Sequence, residues 1–104
     1  MFVQIITYQI DPVSDADFND GNREFAEMMT QQPGLLTKVW LKADEPGSYG
    51  GVYLWRDRES CEAFLASPLL AAVKADDSVR NLTSHEYSVN EEMTKITQPA
   101  HQVI

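Results

Sequence analysis

A single cysteine, Cys61, in 104 residues leaves no intrachain partner for a disulfide, so nothing in the sequence points to an oxidising compartment. Basic side chains are scarce: 8 Lys and Arg stand against 16 Asp and Glu, a formal net charge of −8. A surface of that sign repels phosphate backbones and anionic headgroups, which argues against nucleic acid and membrane as partners. Long apolar runs are missing too, and none approaches the ~20 residues that cross a bilayer. The opening Met1-Phe2-Val3-Gln4-Ile5-Ile6 has neither a basic n-region nor a small-residue cleavage site, so it does not read as a secretory leader and the expected location is cytoplasmic. His and Cys are too few for metal-ligand spacing, and neither a Gly-x-Gly-x-x-Gly turn nor a Gly-x-Ser-x-Gly elbow occurs. From the residues, no metal and no bound cofactor is expected.

What is present is an ordinary globular composition, with 43% apolar and 23% charged residues. The length suits one domain over 1–104, with about 90–104 as a C-terminal arm or tail. Residues 2–10 (FVQIITYQI) are β-branched and aromatic and read as a strand that Asp11-Pro12 ends. Ser14 and Asp17 have capping-box spacing, and Phe18, Asn22, Phe25 and Met29 recur on one helical face until Gln32-Pro33-Gly34 stops it. Residues 35–42 and 49–56 read as two strands joined through Pro46-Gly47. Gly50-Gly51 either weakens or bulges the second of these or lets another group approach its backbone. Asp57 is placed to cap a helix, and Ser67-Pro68 to restart it, giving pieces at 58–66 and 68–75. Cys61 falls on the apolar stripe and reads as a small buried hydrophobe rather than a nucleophile. Residues 79–89 form a fourth strand with a break or bulge near Asn81; Glu91 to Thr97 is a short helix or arm, and the chain is loose from Gln98-Pro99 onward. The order β-α-β-β-α-β predicts an α+β, ferredoxin-like sandwich: a four-stranded antiparallel sheet with both helices on one face.

Such a sandwich covers one sheet face, and the other should alternate to polar residues. Here both parities are apolar in three of the four strands. Val3 and Ile5 oppose Phe2, Ile6, Tyr8 and Ile10; Leu35, Val39 and Leu41 oppose Leu36 and Trp40; Val52 and Leu54 oppose Tyr53 and Trp55. The simplest cover for the second face is a second copy, so the expectation is a homodimer with sheets packed face to face. The alternative is a monomer whose C-terminal arm lies across the sheet.

The run Pro33-Gly34-Leu35-Leu36-Thr37-Lys38-Val39-Trp40, a hairpin, then Gly50-Gly51-Val52-Tyr53-Leu54-Trp55-Arg56-Asp57-Arg58-Glu59-Ser60 and Ala63-Phe64-Leu65 resembles the YdhR family of monooxygenases, within the wider antibiotic-biosynthesis-monooxygenase superfamily. The likeness runs over about residues 2 to 97, and the KVW and GGVYL segments carry most of its specificity. The resemblance implies a dimeric α+β barrel with a pocket between helices and sheet in each subunit. It also implies oxygenation without metal, haem or flavin, in which a phenol, quinol or anthrone loses a proton and the anion reacts with dioxygen. Haem-degrading members of the superfamily bind iron through a histidine late in the second helix; here that segment is Leu69-Leu70-Ala71-Ala72-Val73-Lys74, which argues against haem.

This chemistry needs a dry aromatic pocket, a base and oxyanion donors. Trp40 could floor such a pocket or fill the core or an interface. Trp55, at a strand end, could line the pocket or pack inside. Tyr53 shares its parity with Trp55 and could donate to an oxyanion, or be a core tyrosine; Tyr8 faces the same choice. His85, the one histidine in an expected element, suits a general base near neutrality, or sits at the sheet edge against solvent or Glu86. Arg56 could anchor a phenolate, or pair with a carboxylate at the surface. His101 falls in the tail. Three readings follow: a cofactor-independent monooxygenase of small aromatic phenols, a non-catalytic small-molecule binding dimer, and an interaction module.

Overall fold

The computed structural model describes residues 1–98; the tail from Pro99, with His101, lies outside them. Eight elements follow in order: β1 Phe2–Gln9, α1 Asp15–Met29, β2 Leu35–Lys42, β3 Ser48–Trp55, α2 Arg58–Leu65, α3 Pro68–Ala75, β4 Arg80–Ser88 and α4 Glu91–Thr97. The strands form one antiparallel sheet in the order β2-β3-β1-β4, the ferredoxin-like arrangement. Among the described residues no helix is long and apolar enough to cross a membrane.

The helix starts are set by local side chains. Ser14 Oγ accepts from the Asp17 N–H at 3.1 Å, half of the expected capping box. Asp57 Oδ1 accepts from the Ser60 N–H at 2.8 Å and opens α2. Ser67 Oγ accepts from the Leu70 N–H at 3.2 Å, with Pro68 at the first helical position of α3, where its missing N–H costs nothing. Gly34 turns the chain from α1 into β2 at φ +80, and a Cβ there would stand 2.0 Å from Ser60 Oγ. Only glycine meets both demands.

Alternation along the strands sorts the sheet into two faces. Phe2, Ile6, Tyr53 and Trp55 turn toward the helices and share the buried core with Met29, Cys61, Phe64 and Leu70. Val3, Ile5, Val39, Leu41, Val52 and Leu54 have the opposite parity, on the face that carries no helix. One expectation needs correction here. The register of β2 on β3 shifts between Leu35 and Thr37, so Leu35 packs on the helix-side core while Leu36 is 53% exposed. The extra residue breaks the simple alternation that set Leu35 beside Val39 and Leu41. The irregularity expected near Asn81 is present: Asn81 has φ 54, and the β1–β4 register shifts between Thr7 and Gln9.

Inside the core one polar side chain is fully buried. Gln4 accepts from Trp55 Nε1 at 3.0 Å and donates to Ser84 Oγ at 3.0 Å, so both ends of its amide are satisfied. Replacing Gln4 by Leu strands the indole N–H in an apolar interior. We expect Gln4→Leu to lower unfolding stability in urea by about 1–3 kcal/mol. Trp55→Phe in the Gln4→Leu background should cost less than the two single changes added, because no donor is then left unpaired. Full additivity would show that this hydrogen bond contributes nothing.

Candidate functional site

The solid part of the core ends at Tyr53. Its ring lies parallel to Trp55 at 6.2 Å and tilted against Phe64 at 5.5 Å, so Trp55 and Phe64 fill the interior behind it. Ahead of Tyr53 the layers separate and leave a cavity of about 330 Å³. Its floor is the helix-side face of the sheet, with Ile6, Tyr8, Lys38, Trp40 and Tyr53. Phe18, Asn22 and Phe25 of α1 form one wall, and Leu70, Val73 and Asp76 from α3 and its end form the other. That volume is at the small end of ligand sites and suits a one- or two-ring molecule. A larger depression of about 510 Å³ lies at the strand ends around Gln9, Leu41, Lys42 and Asn81. It is shallower and mixes side chains of both sheet faces, so the deeper cavity is the better candidate.

The basic group in this cavity is Lys38. Its Nζ lies 3.6 Å from the Trp40 ring centroid, 4.7 Å from Tyr53 and 4.9 Å from Phe25. Among the described residues no carboxylate comes within ion-pair distance of it. Gly51 makes this position possible: a Cβ added there would stand 2.9 Å from Lys38 Cε and 3.2 Å from the Tyr53 ring. Of the two meanings weighed for Gly50-Gly51, the close approach of another group is realised at Gly51. Burial strips water from the ammonium and lowers the pKa of Lys38 to about 7. The ring faces return part of the lost hydration as cation–π attraction, roughly 0.5–2 kcal/mol, and no anion returns the rest.

The two tyrosines of the cavity move the other way. Burial, and then the neighbouring Tyr49 phenol, push Tyr8 up to about 12. Burial and the neighbouring Tyr8 phenol raise Tyr53 further still. Both remain phenols at any physiological pH and can only donate to an anion. Neither hydroxyl makes a hydrogen bond among the described residues, which leaves both available to a ligand.

Of the residues singled out from sequence, the structure thus brings Tyr8, Trp40 and Tyr53 together. It keeps the other three out of the cavity lining. Trp55 has no exposed surface and lies behind Tyr53, its N–H committed to Gln4. Arg56 points outward and pairs with Asp57 at 3.4 Å, both exposed, which is the surface alternative. His85 pairs with Ile5 and, by strand parity, lies on the helix-free face with Val3 and Tyr87; it is exposed and outside the cavity of its own chain. The correction concerns parity: odd-numbered residues of β4 turn away from the helices, so an imidazole at 85 cannot reach a pocket beneath them. Lys38 was the residue missed. It shares the parity of Trp40 and pairs with Tyr53, while Gly51 stands across from Trp40 in β3.

Cys61 is buried and its thiol is pushed up to about 11 by burial, so it is an inert packing group. Among the described residues no three His, Cys, Asp or Glu side chains are grouped to hold a metal ion.

A four-stranded ferredoxin-like sheet of this kind is shared with solved structures described as antibiotic biosynthesis monooxygenases. The chain belongs to the family described as putative mono-oxygenase ydhR, whose model matches residues 4–100. No curated protein matches it. Solved structures share its fold at low identity. A putative antibiotic biosynthesis monooxygenase from Deinococcus radiodurans is 19% identical at a TM-score of 0.66, over 86% of this chain and 93% of that one. SnoaB, a cofactor-independent oxygenase from Streptomyces nogalater, is 19% identical at a TM-score of 0.66, over 86% and 92%. The haem-degrader MhuD from Mycobacterium tuberculosis, with two haems in its active site, is 18% identical at a TM-score of 0.66, over 86% and 96%. These likenesses extend to the fold alone. Among the described residues the cavity does not fit a haem: no His, Cys or Met of theirs lines it, and its tyrosines resist the ionisation that a tyrosinate ligand needs.

Lys38 makes stability depend on pH. Its folded pKa, about 7, lies below the unfolded value, so between about pH 7 and ~10.4 the unfolded chain holds the extra proton. Stability therefore rises with pH across that window, and the penalty of burying an ammonium is fully present below it. Comparison with Lys38→Met cancels the opposite contributions of Cys61, Tyr8 and Tyr53, whose folded values are raised. We expect urea midpoints from pH 7 to 9 to give the unaltered chain an extra positive slope, at most about 1.4 kcal/mol per pH unit. Parallel profiles would show that Lys38 titrates as an exposed lysine.

Proposed function

We propose that this chain is a monooxygenase that uses dioxygen, without a cofactor, to oxidise a small aromatic phenol or anthrone bound between the helices and the sheet. The observation that carries this reading is the amine of Lys38, able to shed its proton near neutrality inside an aromatic cavity, with two uncommitted phenols beside it. A base with its pKa near the working pH is the most effective proton acceptor. Lys38 takes the acidic proton of the substrate and remains as an ammonium next to the anion it has made. Tyr53 and Tyr8 donate to the oxyanion. Trp40 and Phe25 cover the ring faces, and Trp55 holds Tyr53 from behind. The electron-rich anion then reacts with dioxygen. For an anthrone methylene the balance is CH2 + O2 → C=O + H2O: one oxygen atom is retained, the other leaves as water, and the substrate supplies all the electrons.

The second copy is part of the proposal. Val3, Ile5, Val39, Leu41, Val52, Leu54 and Tyr87 make a continuous apolar face without a helix, with Leu41 37% and Tyr87 53% exposed. A partner sheet covers it best, which sets His85 in that interface rather than in the pocket.

Oxygen-electrode assays with an anthrone or quinol should show uptake that Lys38→Met reduces about a hundredfold or more with a native circular dichroism spectrum. Tyr53→Phe should reduce it less. A substrate bound but recovered unaltered from the unmodified chain would make this a binding protein and overturn the oxygenase reading. Light scattering should give twice the 11.7 kDa chain mass, and Val52→Asp should halve it; a monomer at micromolar concentration would remove the dimer.

A further inference from the structure

The Lys38 site has a capability that oxygenation does not use. A primary amine in an aromatic cavity, with no carboxylate at ion-pair distance among the described residues, is built like the amine of a carbonyl-capturing enzyme. We infer that Lys38 captures aromatic aldehydes as imines, giving this cavity a carbonyl-binding activity of its own. The inference rests on the cavity geometry and not on reaction with dioxygen.

Three observations support it. The first is placement. Nζ is held among Trp40, Tyr53 and Phe25 at 3.6–4.9 Å from their ring centroids, so a flat aromatic aldehyde that slides between these rings brings its carbonyl carbon to the amine. The second is the space left by Gly51, which lets the lysine chain lie across the sheet instead of rising out of the cavity. The third is charge. Tyr8 and Tyr53 from the sheet are neutral phenols, α1 contributes Phe18, Gly21, Asn22 and Phe25, none of them charged, and Asp76 lines the α3 side without reaching an ion pair with Lys38. The amine is lowered to about 7, so over half of it is neutral at pH 7.5, against roughly 0.1% of an exposed lysine. Lys42, by contrast, is exposed and tied to Asp15 at 3.1 Å.

The chemistry closes without an oxidant or reductant. The nitrogen lone pair adds to the carbonyl carbon, a C–N bond forms, and the C=O π bond becomes an alkoxide. That oxygen takes the proton released from nitrogen, with the Tyr53 hydroxyl placed to donate meanwhile. Loss of the hydroxyl with a second nitrogen-derived proton gives the imine and one water. Nothing changes oxidation state, and hydrolysis reverses every step.

The test uses the intact protein at pH 7.5 with 4-hydroxybenzaldehyde, trapped by cyanoborohydride and read by intact mass and peptide mapping. One equivalent should add at Lys38 at least about tenfold faster than at Lys42, Lys74 or Lys95. Lys38→Arg keeps the charge and cannot form an imine, so it should lose the fast phase while keeping its circular dichroism and mass in solution. Gly51→Ala, which crowds the lysine chain, should slow capture several-fold. Adducts spread over the four lysines at similar rates, no adduct at all, or a fast phase surviving in Lys38→Arg would each overturn the inference. Capture without oxygen uptake would leave it standing and sink the oxygenase reading; uptake without capture would do the reverse.

Discussion

The hydrogen bond between Trp55 and Gln4 is the constraint on which the rest of the molecule depends. It joins β3 to β1 through the interior and fixes the one indole that has no exposed surface. With Trp55 immobile, Phe64 packs on it at 5.4 Å and Tyr53 lies parallel to it, so the half of the core under α2 is solid. The other half, under α1 and α3, has no comparable anchor. Around Trp40 the rings meet edge to face, Phe18 and Phe25 each about 6 Å away, while Phe18 stacks on Tyr49 at 4.1 Å, and the cavity opens beside these contacts. The cavity is thus where one well-determined packing arrangement ends.

Much of the scaffold was legible in the sequence because it is governed by local rules. Ser14, Asp57 and Ser67 begin helices by accepting from the backbone three residues on, and Pro68 marks a restart that no tertiary contact is needed to explain. Strand periodicity also set Tyr8 on one parity with Phe2 and Ile6, and Tyr53 with Trp55, the parities that the structure turns toward the helices. Where it failed, the cause was one extra residue. The irregularity at Leu36 depends on pairing with β3, which periodicity along β2 does not record.

The site was legible only in part, and the reason lies in how a base is recognised. His85 stood out because an unperturbed imidazole titrates near neutrality. Lysine does not, and nothing in the order of residues 35–42 shows how little water surrounds Lys38 Nζ. Its acidity is made by three rings that come from β2, β3 and α1, and by the absence of a side chain at Gly51 across the sheet. Burial at long range, rather than residue type, set the chemistry. For the same reason the shared fold says little about reaction. SnoaB and MhuD carry it over more than nine-tenths of their lengths, and one is described as a cofactor-independent oxygenase and the other as a haem-degrader.

The acidity of the chain takes on a specific meaning once Lys38 is placed. Several of its cations stand at the surface against carboxylates, as Lys42 does with Asp15, Arg23 with Asp20 and Arg80 with Asp11. Those pairs are exposed, screened by salt, and worth little. An excess of carboxylates outside, at a formal net charge of −8, makes the entry of anions unfavourable. A neutral phenol or aldehyde meets no such barrier. If it ionises inside, it meets the one new ammonium its own proton created, with two phenols that cannot ionise in competition. One fold therefore pushes the amine down toward neutrality and the phenols up beyond it by the same physical cause, loss of water, acting on groups whose charged forms have opposite sign. That divergence separates an acceptor of protons from donors of hydrogen bonds within a space of about 330 Å³.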